Sequence, residues 1–271
     1  MDFTPPSVSG IITLTTDFGT SDLYVGVMKG VILNINPHAQ LVDITHAIPP
    51  QDIRAAAFLV DSAYGYFPTG TIHLIVVDPG VGSHRRAVAC QTEHGCFVCP
   101  DNGVLSYILR DEVPYRAVAI ENLAYCLPQI SNTFHGRDIF APVAAHLSQG
   151  VPLDHFGRPI DDLVRFSIPA PQVAYSKIIG HVLWIDRFGN LITNISDETL
   201  KSFDIQRGFV IKIGSMTLDR LNRSYTESEV GELLAIIGSS GRLEISINQG
   251  NAANTLGLKQ GDSVTICANR A

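Results

Sequence analysis

Within "TIHLIVVDPGVGSHRRAVAC", residues 71 to 90, an apolar run ends at Asp78, and a short glycine turn leads on to His84, Arg85 and Arg86. A guanidinium stays protonated in proteins, so it cannot act as a base. It can orient a carboxylate and stabilise negative charge on a bound water. Asp78 and His135, the latter in "NTFHGRDIF", can each accept a proton or a hydrogen bond. Asp78, Arg85 and His135 together could therefore hold and polarise a water nucleophile. The plainer alternative makes His135 a core histidine satisfied by its neighbours, and Arg85 and Arg86 a solvated hairpin edge, a reading that spacing favours most for Arg86. A second aspartate, Asp17 in "TTDFG", also closes a strand-like run and precedes a glycine, which lets a ligand approach the backbone. Its plain alternative is the capping of a turn or helix.

Farther along, "WIDRFGNLITNI", residues 184 to 195, sets Asp186, Phe188 and Asn190 around a tight turn. An aromatic ring beside an amide suits stacking on a purine and reading its edge. A polar hairpin turn with one exposed Phe is the alternative. "SSGRLEISINQGNAA", residues 239 to 253, adds a strand and a glycine-flanked polar loop whose backbone groups could bond a small polar ligand.

Competing chemistries lack their signatures. There is no HxH or HExxH pair, no GxSxG elbow, no P-loop and no GxGxxG fingerprint, so no metal, serine nucleophile or nucleotide cofactor is expected. The CxxC at Cys96 and Cys99 falls in the second strand of an expected hairpin, where residues three apart point to opposite faces, and reads as two core cysteines.

The elements that must position these residues fall into two styles. "GIITLTTDFG", "AQLVDIT" and "TIHLIVVD" read as buried strands. "SDLYVGVMKGVILNINP" reads as a helix capped at Ser21 or Asp22, with Tyr24, Val27, Met28, Val31 and Ile35 on one face, and "QDIRAAAFLVDSAYGYF" as a helix capped near Asp52. This alternation predicts an α/β domain over residues 1 to 170 built on a mostly parallel sheet with helices on both faces, although "RAVACQTEHGCFVC" reads as a hairpin. Ligands of such sheets sit beyond the carboxyl ends of the strands, where Asp17 and Asp78 both fall. "RDIFAPVAAHLSQG" predicts a helix ending at Gly150. The proline-bearing segment around residues 171 to 177 predicts a linker. Residues 178 to 271 then read as short β-rich runs punctuated by glycine, which predicts a smaller all-β, barrel-like domain with "DETLKSF" as a helical turn.

Composition narrows the function. At 271 residues with 45% hydrophobic and 17% charged residues, the chain suits a folded globular protein rather than a disordered one. A net charge of -7 makes a grip on nucleic-acid phosphates a poor expectation. The N-terminal stretch has no basic region followed by an apolar core, and no run nears the ~20 apolar residues of a membrane helix. Five cysteines, an odd number, suit a reducing compartment, so a cytoplasmic location without membrane partners is the default expectation.

Taken together, "TTDFGTSDLYVGVMKG", "VDPGVGS.RR", "PDNG", "TFHGRDIFAPVAAHLS", "IDRFGN" and "GSSGRLEIS.NQGNAA" resemble the S-adenosyl-L-methionine hydrolases that form adenosine, in the superfamily shared with the S-adenosylmethionine-dependent fluorinase and chlorinase. The similarity runs from about residue 11 to the C-terminus in one order. It implies a homotrimer of two-domain subunits, with ligand sites at subunit interfaces, and no cofactor beyond the substrate itself. It also implies a water-positioning triad at Asp78, Arg85 and His135, and a ribose ligand at Asp17. Asp22 and Asp186 match contacts to the methionine part, and Phe188 and Asn190 match the groups that hold adenine. Ser246, Asn248 and Asn251 fall in the loop at the methionine and adenine end. Where the halogenating relatives carry an aromatic residue this chain has Asp78, and where they hold halide with a hydroxyl it has Val81 and Gly136. Hydrolysis of S-adenosylmethionine is the expected activity. Two alternatives are a non-catalytic sensor of S-adenosylmethionine or adenosine, and a metal-dependent nucleoside hydrolase.

Overall fold

The computed structural model describes residues 6–111, 114–203 and 208–268, so "MDFTP" at the start lies outside the described residues. The chain divides into two compact units, Met1–Ser167 and Ile168–Ala271.

In the first unit the sheet runs in the order β2-β1-β3-β5-β4-β6-β7. Its strands are Ile11–Thr16 (β1), Gln40–Thr45 (β2), Thr71–Val76 (β3), Ala87–Gln91 (β4), Gly95–Pro100 (β5), Arg116–Ala119 (β6) and Pro159–Ile160 (β7). The pairings β1 with β2, β1 with β3 and β3 with β5 are parallel, while β4 with β5, β4 with β6 and β6 with β7 are antiparallel. The sheet is therefore mixed, not mostly parallel. The reason is that β4 and β5 form a hairpin, which reverses the chain direction, and β6 and β7 then pair antiparallel beyond β4.

Helix α1 (Tyr24–Ile35) buries Val25, Met28 and Ile32, and packs with α4 (Ala141–Ser148) on one face of the sheet. Neither Ser21 nor Asp22 caps α1; Leu23 stands at its N-cap with no side-chain hydrogen bond. Helix α2 (Ile53–Tyr64) is capped as its sequence predicts, with the Asp52 side chain accepting from the Ala55 N–H. Its Phe58 meets Tyr107 edge-on, just ahead of the short α3 (Ile108–Asp111). Strand β3 is buried along its whole length. Burying each of its large aliphatic side chains contributes about 1.5–3 kcal/mol, which fixes the rim from which Asp78 emerges. Cys96 and Cys99 are both buried in β5, and burial pushes the Cys96 thiol up to about 12, as suits core cysteines.

The second unit is an antiparallel sheet in the order β12-β11-β15-β9-β10-β14-β13, with β8 also paired to β9. Its strands are Gln172–Ala174 (β8), Lys177–Ile185 (β9), Leu191–Ser196 (β10), Phe209–Ile213 (β11), Met216–Leu218 (β12), Leu233–Ile237 (β13), Arg242–Ile247 (β14) and Ser263–Ala268 (β15). The stretch expected as a linker thus holds β8, which gains backbone bonds from β9. A bridge from Asn222 to Ile236 draws the two ends of the sheet toward each other, so the sheet is barrel-like and nearly closed. Its core holds Ile178, Leu191, Ile211, Leu243, Ile245 and Ile266, and "DETLKS" forms α5 (Asp197–Ser202). Among the described residues no helix is long and apolar enough to cross a membrane.

Candidate active site

Parallel register sets the frame. Thr16 pairs with Val76 across β1 and β3, so Asp17 and Asp78, just beyond these residues, leave the sheet on one rim. Asp17, Phe18, Gln51, Asp78, Val81, Phe134, His135 and Gly136 are among the residues lining a groove of about 290 Å³ at this rim. Gly82 turns the chain after Asp78 with φ +76°, and a Cβ there would come within 2.3 Å of the Asn132 carbonyl oxygen, so this close approach requires glycine.

Arg85 joins the two reactive groups on the groove wall. Its Nε donates to Asp78 Oδ1 at 2.9 Å and its Nη2 to Asp78 Oδ2 at 2.5 Å, and the same Nη2 lies 2.7 Å from His135 Nδ1. The Asp78 and Arg85 side chains are only 6% and 11% exposed. A pair this buried persists because the fork geometry bonds both carboxylate oxygens; losing either partner would strand a charge at a cost of about 3–5 kcal/mol. A guanidinium only donates, so His135 Nδ1 must be the accepting, unprotonated nitrogen, and the neutral ring carries its proton on Nε2. Burial and then the Arg85 charge hold the His135 pKa below its ordinary 6.5, against the opposing pull of Asp78, Asp138 and a hydrogen bond to the Ser131 backbone. His135 is thus neither a self-contained core histidine nor a free base.

Arg86 takes the opposite side, as neighbours in an extended segment do. It bonds Asp101 and Asp162, so it is neither a solvated edge nor a stand-in for Arg85.

Two supports were not legible beforehand. The first is Asp138, fully buried in a π-helical turn at Gly136–Phe140 that starts beside His135. Its carboxylate accepts from Arg137 and from the Ser131 N–H, and its carbonyl from the Leu127 N–H, which ties down the loop bearing His135. The acidic residue directly ahead of the apolar run "IFAPVAA" was the available signal. The second is Gln51, whose backbone N–H donates to Asp17 Oδ2 at 2.8 Å from a left-handed conformation, φ 68°. A backbone donor leaves no mark in the side-chain pattern.

Asp22 is exposed, is not among the groove-lining residues, and makes no hydrogen bond recorded among the described residues.

In the second unit, Asp186 organises its own turn. Its Oδ1 accepts from the N–H groups of Phe188 and Asn190, and its Oδ2 accepts from Asn190 Nδ2, each at 2.9 Å. Gly189 at φ +86° lets Asn251 pack against the turn, since a Cβ there would lie 2.1 Å from the Asn251 amide carbon. Asn251 in turn caps α6 (Ala252–Leu256) through the Asn254 N–H. Asp186, Phe188, Asn190 and Asn251 therefore form one cluster, and Phe188 is 74% exposed above it. Ser246 and Asn248 are buried and engaged elsewhere: Ser246 donates to Glu244 Oε1, and Asn248 to the Ser228 carbonyl. Glu244 also accepts from Tyr225, whose hydroxyl pKa is raised by burial and by that carboxylate. Neither Glu244 nor Tyr225 stood out in the sequence, where one reads as a strand residue and the other as a loop residue.

Comparison with known proteins agrees with this division. Residues 12–157 match the SAM hydroxide adenosyltransferase N-terminal domain, and residues 180–265 match the SAM hydroxide adenosyltransferase C-terminal domain. An (R)-S-adenosyl-L-methionine hydrolase of Thermus thermophilus is 38% identical over 93% of this chain and 97% of its own. One from Salinispora tropica is 35% identical over 95% and 97%. A fluorinase of Nocardia brasiliensis is 28% identical over 94% of this chain and 96% of its own. The crystal structure of an uncharacterized conserved protein from Thermotoga maritima superimposes with a TM-score of 0.89 at 39% identity, covering 94% of this chain and 99% of that one.

Proposed function

The chain belongs to the SAM hydroxide adenosyltransferase family, and on that premise we propose that it hydrolyses S-adenosyl-L-methionine to adenosine and L-methionine, with Asp78, Arg85 and His135 holding the attacking water. The observation that carries the triad is the single Arg85 nitrogen shared between Asp78 and His135 at the wall of a groove that Asp17 also lines.

Water attacks C5′ opposite the sulfonium. As the C5′–O bond forms, the C5′–S bond breaks, and its electron pair leaves with methionine as a neutral thioether. The water proton passes to the Asp78 carboxylate, because the His135 Nδ1 lone pair is already engaged by Arg85. No general acid is needed at sulfur. Alignment and exclusion of bulk water then supply the acceleration, for which roughly 7–11 kcal/mol is accessible. No metal takes part in this scheme.

Charge favours water over halide. A carboxylate about 4 Å from a halide opposes it by about 4 kcal/mol at an effective dielectric of 20. Arg85 offsets part of this, yet Asp78 lines the groove and Arg85 does not. Val81 and Gly136 at the same wall bring no hydroxyl to hold an anion.

Asp17 binds the ribose, and Phe188 and Asn190 the adenine. Asn190 keeps its amide oxygen and one N–H outside the bond to Asp186. Asp186 acts on the methionine end indirectly, by shaping this turn against Asn251, and Asp22 is the exposed contact to the methionine part; Ser246 and Asn248, buried on Glu244 and the Ser228 carbonyl, serve the substrate loop as internal supports. A homotrimer with sites at subunit interfaces belongs to the same proposal, and light scattering after size exclusion reads it directly.

The deciding experiment incubates chelator-treated protein with S-adenosylmethionine in ¹⁸O-labelled water. Label in adenosine with equimolar methionine is expected. Tight binding without turnover would replace hydrolysis with sensing, and activity lost to the chelator but restored by metal would overturn the metal-free mechanism.

A further inference from the structure

His46 and the loop behind it hold the turn that carries Asp17 at three points. His46 Nδ1 lies 2.9 Å from the Thr16 hydroxyl, the residue immediately before Asp17. The His46 carbonyl accepts from the Gly19 N–H at 2.8 Å, immediately beyond Phe18. Five residues after His46, the Gln51 N–H reaches Asp17 Oδ2 itself, at 2.8 Å. The loop after β2 thus clasps the loop after β1, its parallel neighbour.

The histidine is itself fixed. Its side chain is 4% exposed, and Nε2 lies 3.0 Å from Asp43 Oδ1, though not aligned for a full hydrogen bond. Lys29 Nζ holds the other Asp43 oxygen at 2.6 Å. With a carboxylate facing Nε2, that nitrogen carries the ring proton, so Nδ1 accepts from the Thr16 hydroxyl while Thr16 Oγ1 accepts from the Phe18 N–H at 3.2 Å. The series Asp43, His46, Thr16 has the outline of a nucleophile triad. Thr16 is 0% exposed, so no substrate can reach it, and the arrangement has only a positioning use.

We propose that His46 is a positioning residue for Asp17: it locks the Thr16–Gly19 turn through its ring and its carbonyl, so that the Asp17 carboxylate is held ready for the ribose hydroxyls. This rests on the reading of Asp17 as the ribose ligand. Without the lock, the turn must be ordered when ligand binds, and the ordering entropy is subtracted from affinity. The loss falls on ribose recognition, since the residues that hold the base lie in the second unit's turn.

The test compares adenosine with 2′,3′-dideoxyadenosine, which lacks the hydroxyls that Asp17 would bind, by titration calorimetry. In the unaltered protein adenosine binds more tightly. His46→Leu is expected to weaken adenosine about tenfold, the scale of one hydrogen bond to a charged group, and to leave dideoxyadenosine unchanged. His46→Asn, which returns an amide near the position of Nδ1, is expected to restore most of the difference. Thr16→Val removes the same bond from the other side and guards against a His46 variant that fails to fold, with thermal melting as the check. Equal losses for both ligands, or no loss for either, would overturn the positioning role. Asp17→Asn serves as the reference: if it leaves the preference for adenosine intact, the ribose reading fails and the proposal with it, whereas loss there without loss in His46→Leu and Thr16→Val defeats the positioning role alone.

Discussion

The groove of the first unit and the 186–190 turn of the second both present an aspartate beside polar partners, but the two carboxylates are used differently. Asp78 meets a guanidinium and stands on a groove wall, whereas Asp186 accepts three hydrogen bonds from its own turn. In the proposed mechanism the first charge is the one offered to the attacking water. The second fixes a shape, and the exposed group there is a neutral ring, Phe188. Charge that must change during a reaction is held by other charges, while recognition of a flat base needs only a rigid turn.

The largest test of that contrast is Asp78→Asn, which keeps the shape and removes the charge. Turnover is expected to fall by about 10² to 10⁴, with adenosine binding nearly intact. A variant with full turnover would erase the distinction between the two aspartates. Phe188→Ala should act in the opposite sense: loss of stacking worth roughly 1–3 kcal/mol raises KM by about 5- to 150-fold, with kcat close to unchanged. Steady-state kinetics separates the two patterns, and a fall in kcat alone would move Phe188 out of the recognition surface. Asp186→Ala is smaller, because it removes bonds internal to the turn at about 1 kcal/mol each. It should weaken adenosine severalfold, lower the melting temperature by several degrees and leave the rate at saturation alone.

Acidity gives the mildest separation. His135 must stay neutral to accept from Arg85, and its pKa lies below 6.5, so kcat should hold through pH 6.5 and decline only below it. Stability follows a second histidine. His73, stacked on Phe97 and bonded to Thr13, is lowered to about 4 by burial. The unfolded chain therefore binds a proton from about pH 6.5 downward while the folded chain does not. Folding stability should decline by up to about 3 kcal/mol as pH falls from 6.5 to 4. Melting curves over that range check the sign; a rise in stability on acidification would refute it.

Much of this was legible in the chain. The apolar run ending at Asp78, the Asp52 cap of α2 and the glycine-punctuated strands after residue 178 are local patterns, and local patterns survive folding because hydrophobic period and cap chemistry are set within a few residues. The cap expected at Ser21 or Asp22 failed, because α1 starts later with no side-chain cap at all. The parallel sheet was overextended because a strand's buried pattern does not declare the direction of its neighbour: β4, β6 and β7 are short runs whose pairing depends on where the chain returns. The stretch expected as a linker carries the three-residue strand β8, which follows directly on Pro169 and Pro171 and is too short to show a period of its own.

By itself the sequence determined which residue types stand at the strand ends and turns, and therefore the chemical repertoire: two rim carboxylates, two guanidiniums, one histidine in an HGRD stretch, and an aromatic beside an amide. It could not choose between Arg85 and Arg86, assign the His135 proton, or join Asp17 to Gln51 and Thr16 to His46. Those choices were made in tertiary structure. Each depends on a hydrogen bond between residues separated by seven to fifty positions: the Asp17–Gln51 and Thr16–His46 bonds exist only after the parallel register of β1 and β2 has brought their loops to one rim, and the Arg85–His135 bond only after the segment ahead of α4 has packed beside the turn that follows β3.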